Sequence, residues 1–325
     1  MKTCTFCRTK YNMKKETLNK TTLSIGIPAY NEAGNIINIL TALYSQSSEY
    51  YVLEKIIIIP DGCTDNTEDL VREFAKTHKE VDLYSDGKRV GKAARLNEIY
   101  KETTSDFLLS IDADVLPKSP NYIDLLVKGL IDNPKTNVTC GRFIPVKHSN
   151  LWGSLSNYSY YTFEDAILKL NNGNNIYALM GAAHMVRMSF GKTLHFPKGT
   201  ISDQNRLYVL ATQNNPHGFL LVKNAEIYMR TVSTFYDWRV LGVRSTSTDK
   251  ENLVRFFGPD VMKIYYMPRK LLIPSLFKYF FKNPILTTGS VVMNIYIRKF
   301  PYKVSTPKNG IWETTTSSKT GTFVK

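Results

Sequence analysis

The chain has 325 residues, 43% of them hydrophobic, with 42 Lys and Arg against 28 Asp and Glu, a net charge of +14. That apolar content excludes wholesale disorder, and the length suits one large α/β domain with an extension, or two modest domains. The basic excess favours anionic partners (nucleoside diphosphates, nucleic acid or acidic lipid headgroups) without choosing among them.

Residues 1–20 are a basic, polar tail carrying Cys4 and Cys7 as a C-x-x-C. No second pair and no paired His follow at zinc-site spacing, and no strand precedes it, so an incidental pair is the simpler reading. The other cysteines are Cys63 and Cys140. The N-terminus lacks an apolar leader run, which makes the cytoplasm the expected compartment.

A strand is expected over Leu23–Pro28, then a helix over Ile36–Tyr44. Lys55–Ile59 (KIIII) reads as a strand buried on both faces. Asp65 stands where a helix N-cap belongs, ahead of a periodic segment to about Thr77. Val81–Tyr84 is a third strand, Gly91 opens a helix to about Tyr100, and Phe107–Ile111 is a fourth buried strand. Strands alternating with helices in this way predict a doubly wound, mostly parallel sheet.

Beyond Asp114 the rhythm loosens. A helix is expected over Tyr122–Ile131, a strand over Val138–Pro145 and an aromatic-rich helix over Leu151–Leu170. Tyr177–Arg187 is small and apolar, Gln204–Ala211 is helical, and Phe219–Val222 and Glu226–Met229 are two short strands before a helix near Tyr236–Phe257. Leu271–Ile297 is apolar but broken by Lys278, Lys282, Asn283, Pro284 and Asn294. It is too polar to span a bilayer and reads as surface or interfacial helices. The Ser/Thr-rich tail from Val304 contains Trp312.

Open parallel sheets bind ligands beyond the carboxyl ends of their strands. Polar clusters follow the leading strands here: Pro28-Ala29-Tyr30-Asn31-Glu32, Asp61-Gly62-Cys63-Thr64-Asp65, and Asp112-Ala113-Asp114, with Gly91-Lys92-Ala93-Ala94-Arg95-Leu96-Asn97 opening a helix between the last two. Singly, each has an ordinary explanation as a turn, a cap or chance. Their ordered placement carries the weight.

Read together, PAYNE, PDGCTD, GKAARLN and DAD resemble the motifs P-x-Y-N-E, D-D-G-S-T-D, G-K-x-x-A-L-N and D-x-D of family 2 glycosyltransferases. The resemblance runs over residues 22–245 and is strongest before 116. It implies an α/β, GT-A-type doubly wound, mostly parallel sheet flanked by helices, with a C-terminal helical extension. The corresponding division is a tail over 1–20, a catalytic domain over 21–258, and an extension with a polar tail over 259–325. The resemblance also implies roles. Pro28, Ala29, Tyr30 and Glu32 would line the nucleotide's base and ribose, Asp61 would contact the base, and Lys92 would approach the nucleotide. Asp112, with Ala113, would hold the ribose or sugar side, and Asp114 would ligate Mg²⁺ or Mn²⁺ bridging the two phosphates.

Asp203 matches the family's catalytic base, Arg244 (with Arg239 in reserve) its diphosphate-binding arginine, and Gly181 and His184 lie where a small-residue strand faces the donor sugar. A helix-start lysine facing water, Asp203 as an N-cap and a core His184 are the competing structural readings. Pro60 replaces the first aspartate of D-D-G, and Gln204 the second acid beside Asp203.

The activity implied is inverting transfer from a UDP- or GDP-linked sugar to a glycan or lipid-linked acceptor, in cell-envelope polysaccharide or glycolipid synthesis. Leu271–Arg298 would touch the anionic inner face of the plasma membrane. A nucleotidyltransferase would need a glycine-rich loop with arginine after the first strand, and PAYNEAGN is not one. A basic nucleic-acid-binding protein would carry a binding motif, and none appears. A degenerate GT-A-like binding protein stays open because of Pro60 and Gln204.

Overall fold

The computed structural model describes residues 20–244, 249–300 and 315–319. Cys4, Cys7 and Trp312 lie outside them.

The first half alternates as expected: β1 (Thr21–Ala29), α1 (Ile36–Tyr44), β2 (Tyr51–Pro60), α2 (Thr67–Ala75), β3 (Val81–Leu83), α3 (Lys92–Glu102) and β4 (Phe107–Ile111). These strands pair in parallel in the order β3-β2-β1-β4. Every residue of β4 is buried, as is Ile56–Pro60 of β2. Side chains alternate across a strand, so total burial requires cover on both faces. α3 supplies part of that cover on β1 and β2. Its approach depends on Gly26, where a Cβ would lie 2.3 Å from Ile99 Cγ2. α1 buries Ile36, Ile39, Leu40 and Leu43, an i, i+3, i+4, i+7 stripe worth about 2 kcal/mol per side chain.

The second half comprises β5 (Val115–Pro117), α4 (Tyr122–Asp132), β6 (Val138–Pro145), α5 (Leu151–Lys169), β7 (Ala183–Arg187), the single turn α6 (Met188–Gly191), α7 (Asp203–Thr212) and β8 (Phe219–Met229). β7 lies antiparallel between β4 and β6, β8 runs parallel to β6, and β5 closes the edge antiparallel to β8. The full order is β3-β2-β1-β4-β7-β6-β8-β5. The sheet is mixed and mostly parallel, flanked by helices: the GT-A arrangement.

Three details differ from the sequence reading. The two short strands at 219–222 and 226–229 are one strand, because Gly141 pairs with Val222 and Arg142 with Glu226, leaving Lys223–Ala225 as a bulge. The bulge brings the Ala225 carbonyl to 2.4 Å from the Cβ that Gly141 lacks. β5 is three residues, too short to show a period. Within the helix expected over 236–257 the described elements are α8 (Phe235–Val243) and α9 (Asp249–Phe257), the latter with Asp249 and Glu251 in its first turn.

The chain then forms a helical hairpin, α10 (Arg269–Lys282) and α11 (Pro284–Lys299). Asn283 caps α11 by accepting the Leu286 N–H at 2.9 Å, and Pro284 suits the first helical turn. The hairpin packs on α5. Ser275 donates to the Thr162 carbonyl at 2.7 Å, and Asn294 to Ser159 Oγ at 2.7 Å. Tyr279 is buried and stacks on Tyr161 with centroids 5.9 Å apart. It therefore belongs to this packing. No helix among the described residues is long and apolar enough to cross a membrane.

Candidate active site

A cleft opens at the carboxyl ends of β1, β2 and β4, completed by the start of α7 and the end of α8. Its lining includes Pro28, Ala29, Tyr30, Glu32, Asp61, Lys92, Asp112, Ala113, Asp114, Asp203 and Arg244 from the sequence reading, but not Gly181, His184 or Arg239.

The first two motifs hold each other in place. Asn31 takes a positive φ of 52°, which Asn tolerates, and accepts the Thr64 N–H at 2.8 Å. Glu32 N–H donates to Thr67 Oγ1 at 2.8 Å, and Ala33 N–H to Asp65 Oδ2 at 3.0 Å. Asn66, not Asp65, occupies the N-cap position of α2. Asp65 instead folds back on the Thr67 N–H at 3.1 Å and ties the β2 loop to the β1 loop.

Asp61 anchors the third motif. Its carboxylate accepts the N–H of Val90 at 2.7 Å and Gly91 at 3.0 Å, and Arg95 Nε at 3.2 Å. Gly62 has φ +67°, and a Cβ there would meet Arg89 N at 2.9 Å. Arg95 is 1% exposed and also pairs with Asp86 at 2.7 Å and Glu98 at 2.9 Å. A buried guanidinium needs such partners, because uncompensated burial costs several kcal/mol. The Arg95 hydrogen bond pulls the Asp86 carboxyl down to about 2. The resembling motif has alanine where Arg95 stands, so this anchor was not foreseen. The same Asp61 carboxylate braces the turn next to Arg89, whose guanidinium lies 3.9 Å from the Tyr30 ring centre.

Three acids and a lysine converge opposite. Lys92 Nζ lies 2.7 Å from Asp112 Oδ1, 3.0 Å from the Gly181 carbonyl and 3.8 Å from Asp203 Oδ2. It is thus an internal counter-ion, not a solvated helix-start lysine. Burial pulls its pKa down, but Asp112 and Asp203 reverse this and hold it above its ordinary value. Asp203 begins α7, behind the Ser202 cap, and its buried Oδ2 has no hydrogen-bond partner among the described residues. Gly181 packs close to the start of α7: a Cβ there would stand 2.7 Å from Gln204 Oε1 and 3.3 Å from Asp203 Oδ2.

Asp114 has no hydrogen bond among the described residues. Burial, then Asp112 and Glu32, push its carboxyl up to about 7. An uncommitted acid crowded by two others fits a divalent cation. Since no group of three metal-ligating side chains occurs among the described residues, most other ligands would be phosphate oxygens and water.

Arg244, not Arg239, lines the cleft. His184 sits on β7 away from the lining, 1% exposed, and burial lowers its pKa to about 4. Residues not singled out from the sequence also line the cleft, namely Arg89, Thr200, Ile201, Thr315, Ser318 and Lys319. Arg89 stands just ahead of the GK pair, a basic neighbour that could have been noticed. The C-terminal three carry no local signal.

The glycosyl transferase family 2 model matches residues 24–193, more than half of the chain. The chain belongs to glycosyl transferase family 2. It is 30% identical over 142 residues to poly-beta-1,6-N-acetyl-D-glucosamine synthase of Staphylococcus epidermidis, covering 42% of this chain and 32% of that one. The chain therefore spans about a third of the curated relatives it matches. Among solved structures it resembles a mannosyltransferase of Pyrobaculum calidifontis in complex with GDP-Man and Mn²⁺, with a TM-score of 0.55 and 18% identity, covering 88% of this chain and 77% of that one. It also resembles residues 1–349 of Staphylococcus aureus TarS in complex with UDP-GlcNAc, with a TM-score of 0.50 and 15% identity, covering 87% and 93%. At such identities the likeness establishes the family 2 fold.

Proposed function

We propose that this chain transfers a sugar from a nucleoside-diphosphate donor to an acceptor hydroxyl, with inversion at the anomeric carbon. The observation that carries this reading is the convergence of Asp112, Asp114 and Asp203 with Lys92 and Arg244 in one cleft at the strand ends. Asp203 takes the proton from the acceptor hydroxyl as its oxygen bonds to the anomeric carbon. The bond from that carbon to the diphosphate breaks in the same displacement. Lys92 and Arg244 offset the negative charge of the departing diphosphate, and an arginine can do so through two parallel hydrogen bonds. Asp114 would hold Mg²⁺ or Mn²⁺, which supplies Lewis-acid stabilisation of the diphosphate. UDP- and GDP-linked sugars are the donor classes found in the structures this fold resembles. Screening UDP- and GDP-sugars with Mn²⁺ for donor hydrolysis and transfer tests the reading. At least one donor should turn over, and a silent panel would reject it.

The acceptor is read as lipid-linked or glycan, in envelope polysaccharide or glycolipid synthesis. The support is the outer face of the α10–α11 hairpin, where Phe277, Phe280, Phe281, Ile285, Val292 and Ile295 are exposed beside Arg269, Lys270, Lys282 and Lys299. Apolar side chains of this kind enter a headgroup region, and each nearby cation adds about 1 kcal/mol at an acidic surface. Lys278 is less available, since it pairs with Asp165. The full chain should co-sediment with acidic vesicles at low salt, and Phe281→Asp with Lys282→Glu should release it. A chain that stays in the supernatant would leave a soluble acceptor.

A further inference from the structure

The described C-terminal residues, Thr315–Lys319, lie within the cleft. The Ser317 N–H donates to Asp237 Oδ2 on α8 at 2.8 Å, and Ser317 Oγ accepts the Ser233 N–H at 3.0 Å. Arg230 Nε donates to the Ser318 carbonyl at 3.0 Å, and Asn35 Nδ2 to the Lys319 carbonyl at 2.9 Å. The Lys319 ammonium pairs with Glu32 Oε1 at 2.6 Å, donates to the Tyr30 carbonyl, and lies 5.5 Å from the Tyr30 ring centre. Thr315 and Ser318 also border a second cavity that shares Asp112 and Asp114 with the cleft and is walled by Tyr160 and Trp238. The segment therefore partitions the space on the two sides of those aspartates.

We propose that Thr315–Lys319 is an internal strap that closes the cleft of the unliganded chain and that the donor must displace; this rests on reading the cleft as the donor site. Lys319 serves as a resident counter-ion among Glu32 and Asp114. Two physical effects push it out when the donor arrives. A divalent cation at Asp114 places like charge beside the ammonium. The nucleotide also needs the Tyr30 and Glu32 surfaces that Lys319 covers. The strap is suited to release, because its five residues are Thr, Thr, Ser, Ser and Lys, with no apolar side chain to bury. Among the described residues its hold is a few polar hydrogen bonds and one ion pair, each of small net worth against water.

Calorimetric titration of UDP and of GDP, each with Mn²⁺, into the full chain and two full-length variants tests this. Lys319→Ala removes the ion pair. Ser317→Pro removes the N–H given to Asp237, at a residue outside the cleft lining. Both variants should bind nucleotide about tenfold more tightly, the gain expected if the strap closes roughly 90% of parent molecules. In the parent chain, nucleotide should expose the Lys319 peptide bond to trypsin. If the parent binds nucleotide while either variant binds it equally or more weakly, the strap is overturned and the segment is part of the donor site. If neither the parent nor the variants bind either nucleotide, the donor reading falls and takes the strap with it.

Discussion

Asp114→Asn should leave a folded protein that no longer transfers sugar. A bound divalent cation contributes several kcal/mol to stabilising a departing diphosphate, so the loss should be roughly 10³-fold or more. The fold should hold because Asp114 stands just past a strand end and gives up no hydrogen bond among the described residues. Neutralising it also relieves repulsion from Asp112 and Glu32, so the melting temperature should stay or rise. Thermal melts with and without Mn²⁺ give a second readout. The parent should be stabilised by the ion and the variant should not. Full activity in the variant, or in the parent with excess chelator, would remove Asp114 from the metal.

Asp203→Asn should lower turnover by roughly 10²–10⁴, the usual worth of a positioned general base. The amide preserves size and sits at the same helix start, but it cannot take a proton. Donor affinity should change little, because Lys92 keeps its contact with Asp112 at 2.7 Å. Proton NMR of the product reads the mechanism separately. A product that retains the donor's anomeric configuration would reject single displacement whatever the variant's rate.

Much of this site was readable because parallel strands end where ligands bind. Buried β-branched runs such as Ile56–Ile59 marked the strands, and the polar residues just past them were then forced to the cleft rim. The ambiguous cases were those where one side chain has two plausible uses. Asp65 looks like a cap and is a tie between two loops. Lys92 could approach a nucleotide or face water, and is a half-buried counter-ion to Asp112 and Asp203. Neither pattern distinguishes a contact across the fold from one along the chain. Arg95 was missed because a charged residue inside a helical motif ordinarily faces water. Its burial depends on Asp61 and Asp86, which no local period links to it. Lys319 lay further beyond reach, with partners at Tyr30 and Glu32 almost the whole chain away.

The place of β7 between β4 and β6 also sets an order of assembly. The parallel block β1 to β4 is complete once residue 111 has been made, yet its β4 edge is covered only after residues 183–187 arrive. β5 waits longer, until residues 227–229 supply β8. During synthesis a mostly apolar strand edge is thus left unpaired while some 70 residues follow, the interval between Ile111 and Ala183. Open edges of that kind template association with other chains. A nascent or truncated N-terminal half should for that reason be the aggregation-prone form of this protein, and the antiparallel insertion of β7 beside β4 is what ends its exposure.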